Sequence, residues 1–245
     1  MVELSVVLPV YKCKECLTPL YERLSRVLTK IVPSYEIIFV EDGGNDGSWE
    51  LIEKIARKDH KVKAFQLSRN FGQHKAIAAG LSQACGKWTV VMDSDLQDPP
   101  EEIPRLYEKI LSGYDIVFAK REVKQHSFFR KTASKFYFKA LNFLNKSNVD
   151  NLYGSLSILS KNVVSAFLRV KDTDHRYFHV LHWLGFKIGT IEYRHAKRYS
   201  GKSSYTAFKL LKVALSGLFR GNIFHQVKDL PSFFFSKKIV NGQHE

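Results

Sequence analysis

The chain has 245 residues, 44% of them hydrophobic, which is ordinary for a globular protein and sufficient for one α/β domain with a sizeable core. No run of 18 apolar residues exists, so no membrane-spanning helix is expected, and the strand pattern directly after Met1 predicts no signal peptide. Residues 1–119 carry 15 Lys and Arg against 17 Asp and Glu, whereas residues 120–245 carry 23 against 7. This asymmetry indicates an anionic partner for the second half. An anionic membrane surface is favoured over nucleic acid, because the usual signatures of nucleic-acid modules are absent.

The hydrophobic pattern alternates strands with helices along the chain. Strands are predicted at residues 3–11, 35–40, 62–67, 88–92, 115–119, 151–159 and 186–193. Helices are predicted at residues 17–30, 46–59, 75–84, 101–111, 128–145, 161–168 and 174–184. The alternation favours a mostly parallel sheet with helices on both faces. Residues 205–245 are expected to add basic amphipathic helices that associate with a membrane. The part at 227–240, with three phenylalanines beside two lysines, is equally compatible with packing back on the domain.

Two carboxylates follow the predicted strand 88–92. Asp93 and Asp95 therefore lie where ligands of open α/β sheets bind, beyond the carboxyl ends of the strands. Two like charges this close repel each other unless a cation lies between them, and Mg²⁺ or Mn²⁺ suits one or two carboxylates plus substrate phosphates. The pattern indicates a metal–diphosphate site, although an Asp-x-Asp sequence taken alone is equally typical of a solvated turn.

Two other groups of residues have the composition of zinc ligands. Cys13 and Cys16 form a Cys-x-x-Cys that could be a redox pair or half of a metal site, but no second pair completes a zinc site. Reduced, unpaired thiols in a cytosolic protein are expected. His175, His179 and His182 fall on one face of the predicted helix 174–184, where three imidazoles could bind zinc, but no residues that would orient the imidazoles are evident.

Three segments carry a resemblance to a known family. Asp-Ser-Asp-Leu-Gln-Asp-Pro-Pro at residues 93–100 is preceded by Val-Glu-Asp-Gly at 40–43 and by Ser-Arg-Asn-Phe-Gly at 68–72. The combination closely resembles the family 2 glycosyltransferases, and among them the polyprenyl-phosphate sugar transferases such as dolichol-phosphate mannose synthase. The resemblance extends over about residues 4–218. It implies a GT-A fold and inverting, metal-dependent transfer of a sugar from a nucleotide-sugar to undecaprenyl or dolichyl phosphate.

The same resemblance implies roles for individual residues. The metal would be held by Asp93, Asp95 and Gln97, with Asp93, Asp95 and Arg198 acting in catalysis. The donor would be bound by Pro9, Tyr11, Val40, Asp42, Ser94, Gln97, Arg198 and Lys202. The acceptor phosphate would be bound by Arg121, Arg130 and Ser134. Residues 1–119 would form the nucleotide-sugar half of a domain that ends at residue 204, and residues 120–204 its acceptor half.

The chain departs from the family at three places near these residues. Gly154-Ser155-Leu156-Ser157 stands where the polyprenyl-phosphate enzymes carry Gly-Asp-Phe-Arg, and Lys12-Cys13 stands where Asn-Glu is usual. The third is Ser204, where a lysine is usual, although Lys202 is near. The first departure loses an acid and an arginine together, so the sugar or the acceptor is expected to differ from theirs.

An alternative acceptor follows from a different acidic residue. Asp174, and secondarily Asp172, resembles in position the catalytic acid of family 2 enzymes that glycosylate sugar hydroxyls. Because a hydroxyl acceptor needs a general base, the alternative is a sugar-to-sugar transferase of surface-polysaccharide or O-antigen assembly. In either case the basic second half predicts a peripheral protein on the cytoplasmic face of a membrane.

Overall fold

A computed structural model describes residues 1–122, 153–170, 177–196, 235–240 and 243–244. The strands are β1 Leu4–Val10, β2 Tyr35–Glu41, β3 Val62–Leu67, β4 Trp88–Val91, β5 Ile116–Arg121, β6 Tyr153–Ser160, β7 Ile188–Tyr193, β8 Phe235–Val240 and β9 Gln243–His244. The helices are α1 Lys14–Ile31, α2 Ser48–Lys58, α3 Gln73–Gln83, α4 Ile103–Leu111, α5 Lys161–Arg169 and α6 Tyr177–Trp183, with a 3₁₀ turn at Pro100–Glu102.

The strands form one nine-stranded sheet in the order β7-β5-β6-β4-β1-β2-β3-β8-β9. β1 pairs in parallel with β2 and β4, β2 with β3, and β5 with β7. β6 runs antiparallel between β4 and β5. Consequently β1 to β5 and β7 all point the same way, and their carboxyl ends meet at one edge of the sheet. The predicted mostly parallel α/β sheet is confirmed.

Helices cover both faces of the sheet because its strands are apolar on both faces. In β1, Leu8 lies in the core beneath α1, α2 and α4, whereas its neighbour Val7 lies in the core beneath α3, α5 and α6. Gly80 of α3 allows this helix to lie directly on the sheet, because a Cβ at position 80 would collide with Val7 and come within 3.1 Å of Val40 Cγ2. The start of α3 is thereby fixed beside the carboxyl ends of β1 and β2.

The C-terminal residues 235–240 form a strand, whereas helices were predicted for this part of the chain. Residues 235–240 form strand β8, which pairs antiparallel with β3 and places Ile239, a fully buried residue, opposite Ala64. The pairing satisfies backbone groups of β3 that would otherwise lie at an open sheet edge. These residues are therefore part of the sheet, and the helical prediction is wrong for them.

Some of the other predictions lie outside the described residues, among them the helix at 128–145 and the part of the C-terminal segment at 205–234. Within the part of the chain that the structure describes, no helix is both long and apolar enough to cross a bilayer.

Candidate active site

The turn after β4 presents alternate side chains to the carboxyl edge of the sheet. Asp93, Asp95 and Gln97 are partly exposed, whereas Ser94 and Leu96 between them are buried. Leu96 packs into the core with a left-handed backbone, φ of 60°, a conformation that is strained for a leucine. The backbone N–H of Gln97 donates to Asp95 Oδ1 at 3.1 Å. The structure thus brings together the three predicted metal ligands.

Asp93 lies in a surrounding that disfavours its charge. Burial raises the pKa of this carboxyl to about 7, the nearby charges of Asp98 and Asp95 add to the increase, and Arg121 partly offsets it. Gln73 Nε2, in the first turn of α3, donates to Asp93 Oδ1 at 2.5 Å and orients the carboxylate. A carboxylate in this position would be stabilised in its ionised form by a bound cation.

Asp98, on the same turn, is fully buried and is the centre of a polar cluster that sequence reasoning did not identify. The Tyr193 hydroxyl donates to Asp98 Oδ1, and Ser155 Oγ donates to Oδ2 at 3.3 Å. Arg121 Nη2 and His195 Nε2 lie 3.8 and 3.5 Å from Oδ1. We call these five residues the Asp98 cluster.

Arg121, the predicted acceptor ligand, ends β5 and lies directly opposite Tyr193 of β7. Its Nε donates to the Tyr193 hydroxyl at 3.3 Å, and its side chain remains 35% exposed. Although burial alone would lower the pKa of Arg121, the hydrogen bond to Tyr193 and the charge of Asp98 raise it overall. Gly154 provides the space, since a Cβ there would lie 2.9 Å from Arg121 Nη2. A charged guanidinium is thus held close to Asp93.

On the nucleotide side of the edge, Asp42 follows β2 and is only 2% exposed. Its Oδ1 accepts from the Phe71 N–H at 2.7 Å and its Oδ2 from the Gly72 N–H at 2.9 Å. Asn70 Nδ2 donates to the Asp42 carbonyl at 3.1 Å. Burial raises the pKa of Asp42, while the two backbone hydrogen bonds oppose the increase. Asp42 therefore fastens the loop at residues 68–72, and its contact with a nucleotide stays a prediction.

The other predicted nucleotide ligands cluster beside Asp42. Pro9 of β1 and Val40 of β2 are opposite each other in the parallel ladder, and Tyr11 just beyond β1 is 39% exposed. The Val40 side chain is fully buried in the core beneath α3, so only its backbone is available to a ligand. Cys13 Sγ donates to the Ser94 carbonyl at 3.6 Å and joins the β1–α1 connection to the turn after β4.

Several predicted site residues lie outside the described residues: Arg130, Ser134, Asp172, Asp174, His175, Arg198 and Lys202. The segment before Arg198 is described, and the Ala196 N–H donates to the Gln97 carbonyl at 2.9 Å. His182 stacks on Phe118 with ring centroids 5.2 Å apart. Among the described residues, no three His, Cys, Asp or Glu side chains are arranged to hold a metal.

The fold is an α/β sheet that carries carboxylates and an arginine at the carboxyl ends of its strands, the place where ligands of open α/β sheets bind. The model of the family "Glycosyl transferase family 2" matches residues 5–168. The uncharacterized glycosyltransferase YkcC of Bacillus subtilis is 33% identical over 218 residues, which are 89% of this chain and 68% of YkcC. The chain belongs to glycosyl transferase family 2, and it is a glycosyltransferase.

Further relatives and solved structures agree with this family. The undecaprenyl-phosphate 4-deoxy-4-formamido-L-arabinose transferase of Pectobacterium atrosepticum is 41% identical over 216 residues, which are 85% of this chain and 64% of that protein. The chain thus spans about two thirds of the length of the curated relatives it matches.

Among solved structures, glucosyl-3-phosphoglycerate synthase from Mycobacterium tuberculosis in complex with Mn²⁺, uridine diphosphate and phosphoglyceric acid has a TM-score of 0.65 at 16% identity, covering 98% of this chain and 86% of that chain. S. aureus TarS 1-349 in complex with UDP-GlcNAc has a TM-score of 0.53 at 16% identity, covering 91% and 68%. The likeness confirms the predicted GT-A fold.

Proposed function

We propose that this chain transfers a sugar, with inversion at the anomeric carbon, from a nucleotide-sugar to a polyprenyl phosphate, and that it uses Mg²⁺ or Mn²⁺. The observation that carries the proposal is the guanidinium of Arg121, held by Tyr193 and Asp98 next to the carboxylates of the turn after β4. The carboxylates of this turn would repel an anionic acceptor. The neighbouring arginine counters this repulsion, because its planar guanidinium can donate two hydrogen bonds to a phosphate. The name of the Pectobacterium relative supports the same acceptor class.

The residues after β4 fit a divalent cation. Asp93, Asp95 and Gln97 offer oxygen ligands at one surface, the hard donor type that Mg²⁺ and Mn²⁺ prefer. The charges of Asp98 and Asp95 lie near Asp93 and raise its pKa, so a cation at this turn would relieve repulsion among the carboxylates. When bound, the cation would stabilise the negative charge of the leaving nucleoside diphosphate.

The chain's own residues prepare the site before any substrate binds. Gln73 orients Asp93, the Gln97 N–H orients Asp95, and Asp42 fixes the neighbouring loop at residues 68–72. Such pre-organisation lowers the cost of placing the donor. The Ala196 N–H donates to the Gln97 carbonyl, so the described segment after β7 is fastened to the turn that carries the proposed metal ligands. We assign Arg198, with Lys202, to the donor diphosphate.

The reaction is a single displacement. A phosphate oxygen of the acceptor forms a bond to the anomeric carbon while the bond from that carbon to the diphosphate oxygen breaks, and the electron pair leaves with the diphosphate. No proton has to be removed, because a phosphate acceptor is already an anion. Arg121, together with Arg130 and Ser134 from the predicted helix 128–145, would hold this phosphate.

A second candidate function is sugar-to-sugar transfer with Asp174 as general base. It is favoured by the region where the chain departs from the polyprenyl-phosphate enzymes. Ser157 Oγ lies 2.8 Å from the Tyr177 hydroxyl, and Ser155 hydrogen-bonds to Asp98, so two buried hydroxyl groups occupy positions of an acid and an arginine.

One pair of variants distinguishes the two functions. If the acceptor is a phosphate, Arg130→Ala should severely weaken the use of the acceptor, and Asp174→Asn should have only a mild effect. If the acceptor is a hydroxyl, loss of the base in Asp174→Asn should lower the rate roughly 10²–10⁴-fold.

The excess of Lys and Arg over Asp and Glu in residues 120–245 suits a peripheral protein at an anionic membrane surface, and we place it on the cytoplasmic face.

The experiment that tests the proposal is a screen of nucleotide-sugars, with Mn²⁺ present, against undecaprenyl phosphate and against lipid-linked sugars. Transfer of a radiolabelled sugar to undecaprenyl phosphate is the expected result. Transfer only to lipid-linked sugars would replace the proposal by the second candidate.

A further inference from the structure

The Asp98 cluster lies on the same turn as the proposed metal ligands but has a different surrounding. Both Asp98 oxygens accept hydrogen bonds from hydroxyl groups, those of Tyr193 and Ser155, and the side chain has no exposed surface. A fully buried carboxylate is costly unless hydrogen bonds and an opposite charge compensate it. Here the compensation includes Arg121, the residue to which the proposed function assigns the acceptor phosphate.

The guanidinium of Arg121 is constrained from three directions. Its Nε donates to Tyr193, which in turn donates to Asp98, and its Nη2 lies 3.8 Å from the Asp98 carboxylate. Gly154 lies against the guanidinium from β6, leaving too little room for even a Cβ. The side chain is nevertheless 35% exposed, so part of the guanidinium remains accessible to a ligand.

We propose that Asp98 is a positioning residue that, together with Tyr193, aims the guanidinium of Arg121 at the phosphate of the acceptor. The inference rests on the proposed function. A free arginine side chain samples many rotamers, and fixing it before binding removes the entropy cost that binding would otherwise carry. Because Asp98 follows Gln97 directly, the same contact fixes the distance between the acceptor arginine and the turn that serves the donor.

A different role for Asp98 makes the opposite prediction. If the carboxylate only offsets the charge of Arg121, its removal leaves the guanidinium more attractive to anions and strengthens phosphate binding. If the carboxylate positions the guanidinium, its removal weakens phosphate binding although the net charge becomes more positive. The sign of the change therefore separates the two roles.

The test measures how strongly the full 245-residue chain prefers farnesyl phosphate to farnesol in detergent micelles, by isothermal titration calorimetry. Asp98→Asn keeps the shape of the side chain and removes its charge, Tyr193→Phe removes the bridging hydroxyl, and Arg121→Ala removes the ligand. The matched control is Glu122→Gln, which breaks the exposed pair between Arg194 Nε and Glu122 Oε2, 3.0 Å apart, at the ends of the same two strands.

We expect Arg121→Ala to abolish the preference for the phosphate. Asp98→Asn should reduce it about 10-fold, and Tyr193→Phe about 3-fold, on the order of one hydrogen bond or less. Farnesol binding should change little in these variants, which distinguishes positioning from general damage to the site. Glu122→Gln should bind like the wild type. Should Asp98→Asn fail to fold, as judged by its thermal unfolding, the nearly isosteric Tyr193→Phe decides the question alone.

Two results would overturn the inference, and they are distinguishable. A wild-type chain without any preference for the phosphate would overturn the proposed acceptor and the positioning role together. A preference that is lost in Arg121→Ala but unchanged or increased in Asp98→Asn and Tyr193→Phe would overturn the positioning role and leave the proposed function intact.

Discussion

The loop at residues 68–72 depends on one buried carboxylate, and this can be tested by Asp42→Asn. The substitution preserves the shape of the side chain but replaces one oxygen by an NH₂ group. Both Asp42 oxygens accept backbone N–H groups, at 2.7 Å from Phe71 and 2.9 Å from Gly72. In the variant one of these N–H groups faces another donor and loses its partner, while the second donates to a neutral oxygen.

The magnitude follows from these two contacts. Converting a hydrogen bond to a charged acceptor into a neutral one costs about 1 kcal/mol, and leaving a buried N–H unsatisfied costs about 1–3 kcal/mol. Because burial raises the pKa of Asp42, part of this loss is regained when the charge is removed. We expect the free energy of unfolding to fall by about 2 kcal/mol.

The assay is urea unfolding at pH 7, followed by tryptophan fluorescence, with Asp46→Asn as the control. Asp46 also accepts two backbone N–H groups, from Ser48 at 3.1 Å and Lys14 at 3.2 Å, but it is only half-buried. Water can replace its hydrogen bonds, so the control should lose at most about 1 kcal/mol. Equal stability of the two variants would refute the reasoning that Asp42 is a buried clamp.

Three further predictions concern the crevice and the surface. Because burial raises the pKa of Asp93 in the folded chain to about 7, well above the ordinary value of an aspartate, the metal-free chain should lose stability as the pH rises from about 4 to 7, by up to about 1.4 kcal/mol per pH unit. Thermal unfolding in EDTA should show this slope, and Asp93→Asn should flatten it; an equal slope in the variant would contradict the assignment. Gly154→Ala should displace the Arg121 guanidinium and raise the KM for the acceptor about 10-fold, comparable to one lost hydrogen bond, with the donor KM unchanged. Liposome flotation should show binding to anionic vesicles that weakens from low to high salt, and equal binding to neutral vesicles would count against a membrane-surface role.

The positions of several side chains at the carboxyl edge of the sheet could be predicted from the strands that precede them. Asp93, Asp95 and Gln97 share one surface because alternate residues of a turn leaving a buried strand face the same side, and this can be read from the chain. Arg121 follows the predicted strand 115–119 by two residues, and the structure extends this strand so that Arg121 lies at its carboxyl end. These are local properties of single strands and the residues that follow them.

What the sequence could not supply is the order of the strands. Tyr193 meets Arg121 because β7 pairs with β5, and Ser155 meets Asp98 because β6 inserts antiparallel between β4 and β5. Both contacts join segments that are distant along the chain, so no periodicity reports them. The same holds for β8, whose partner β3 lies far earlier in the chain. Asp98 belongs to the motif at residues 93–100, but its burial depends on the strands that carry Tyr193 and Ser155.

The most direct measurement is the initial rate of sugar transfer to undecaprenyl phosphate by the wild type and by Asp95→Asn, each with Mn²⁺ and with EDTA, using the nucleotide-sugar that the screen identifies. Stabilisation of a leaving group by a metal is worth several kcal/mol, so Asp95→Asn should be at least about 100-fold slower than the wild type, and EDTA should abolish the wild-type rate. Full transfer in EDTA, or an Asp95→Asn rate equal to that of the wild type, would contradict metal-dependent transfer at this turn.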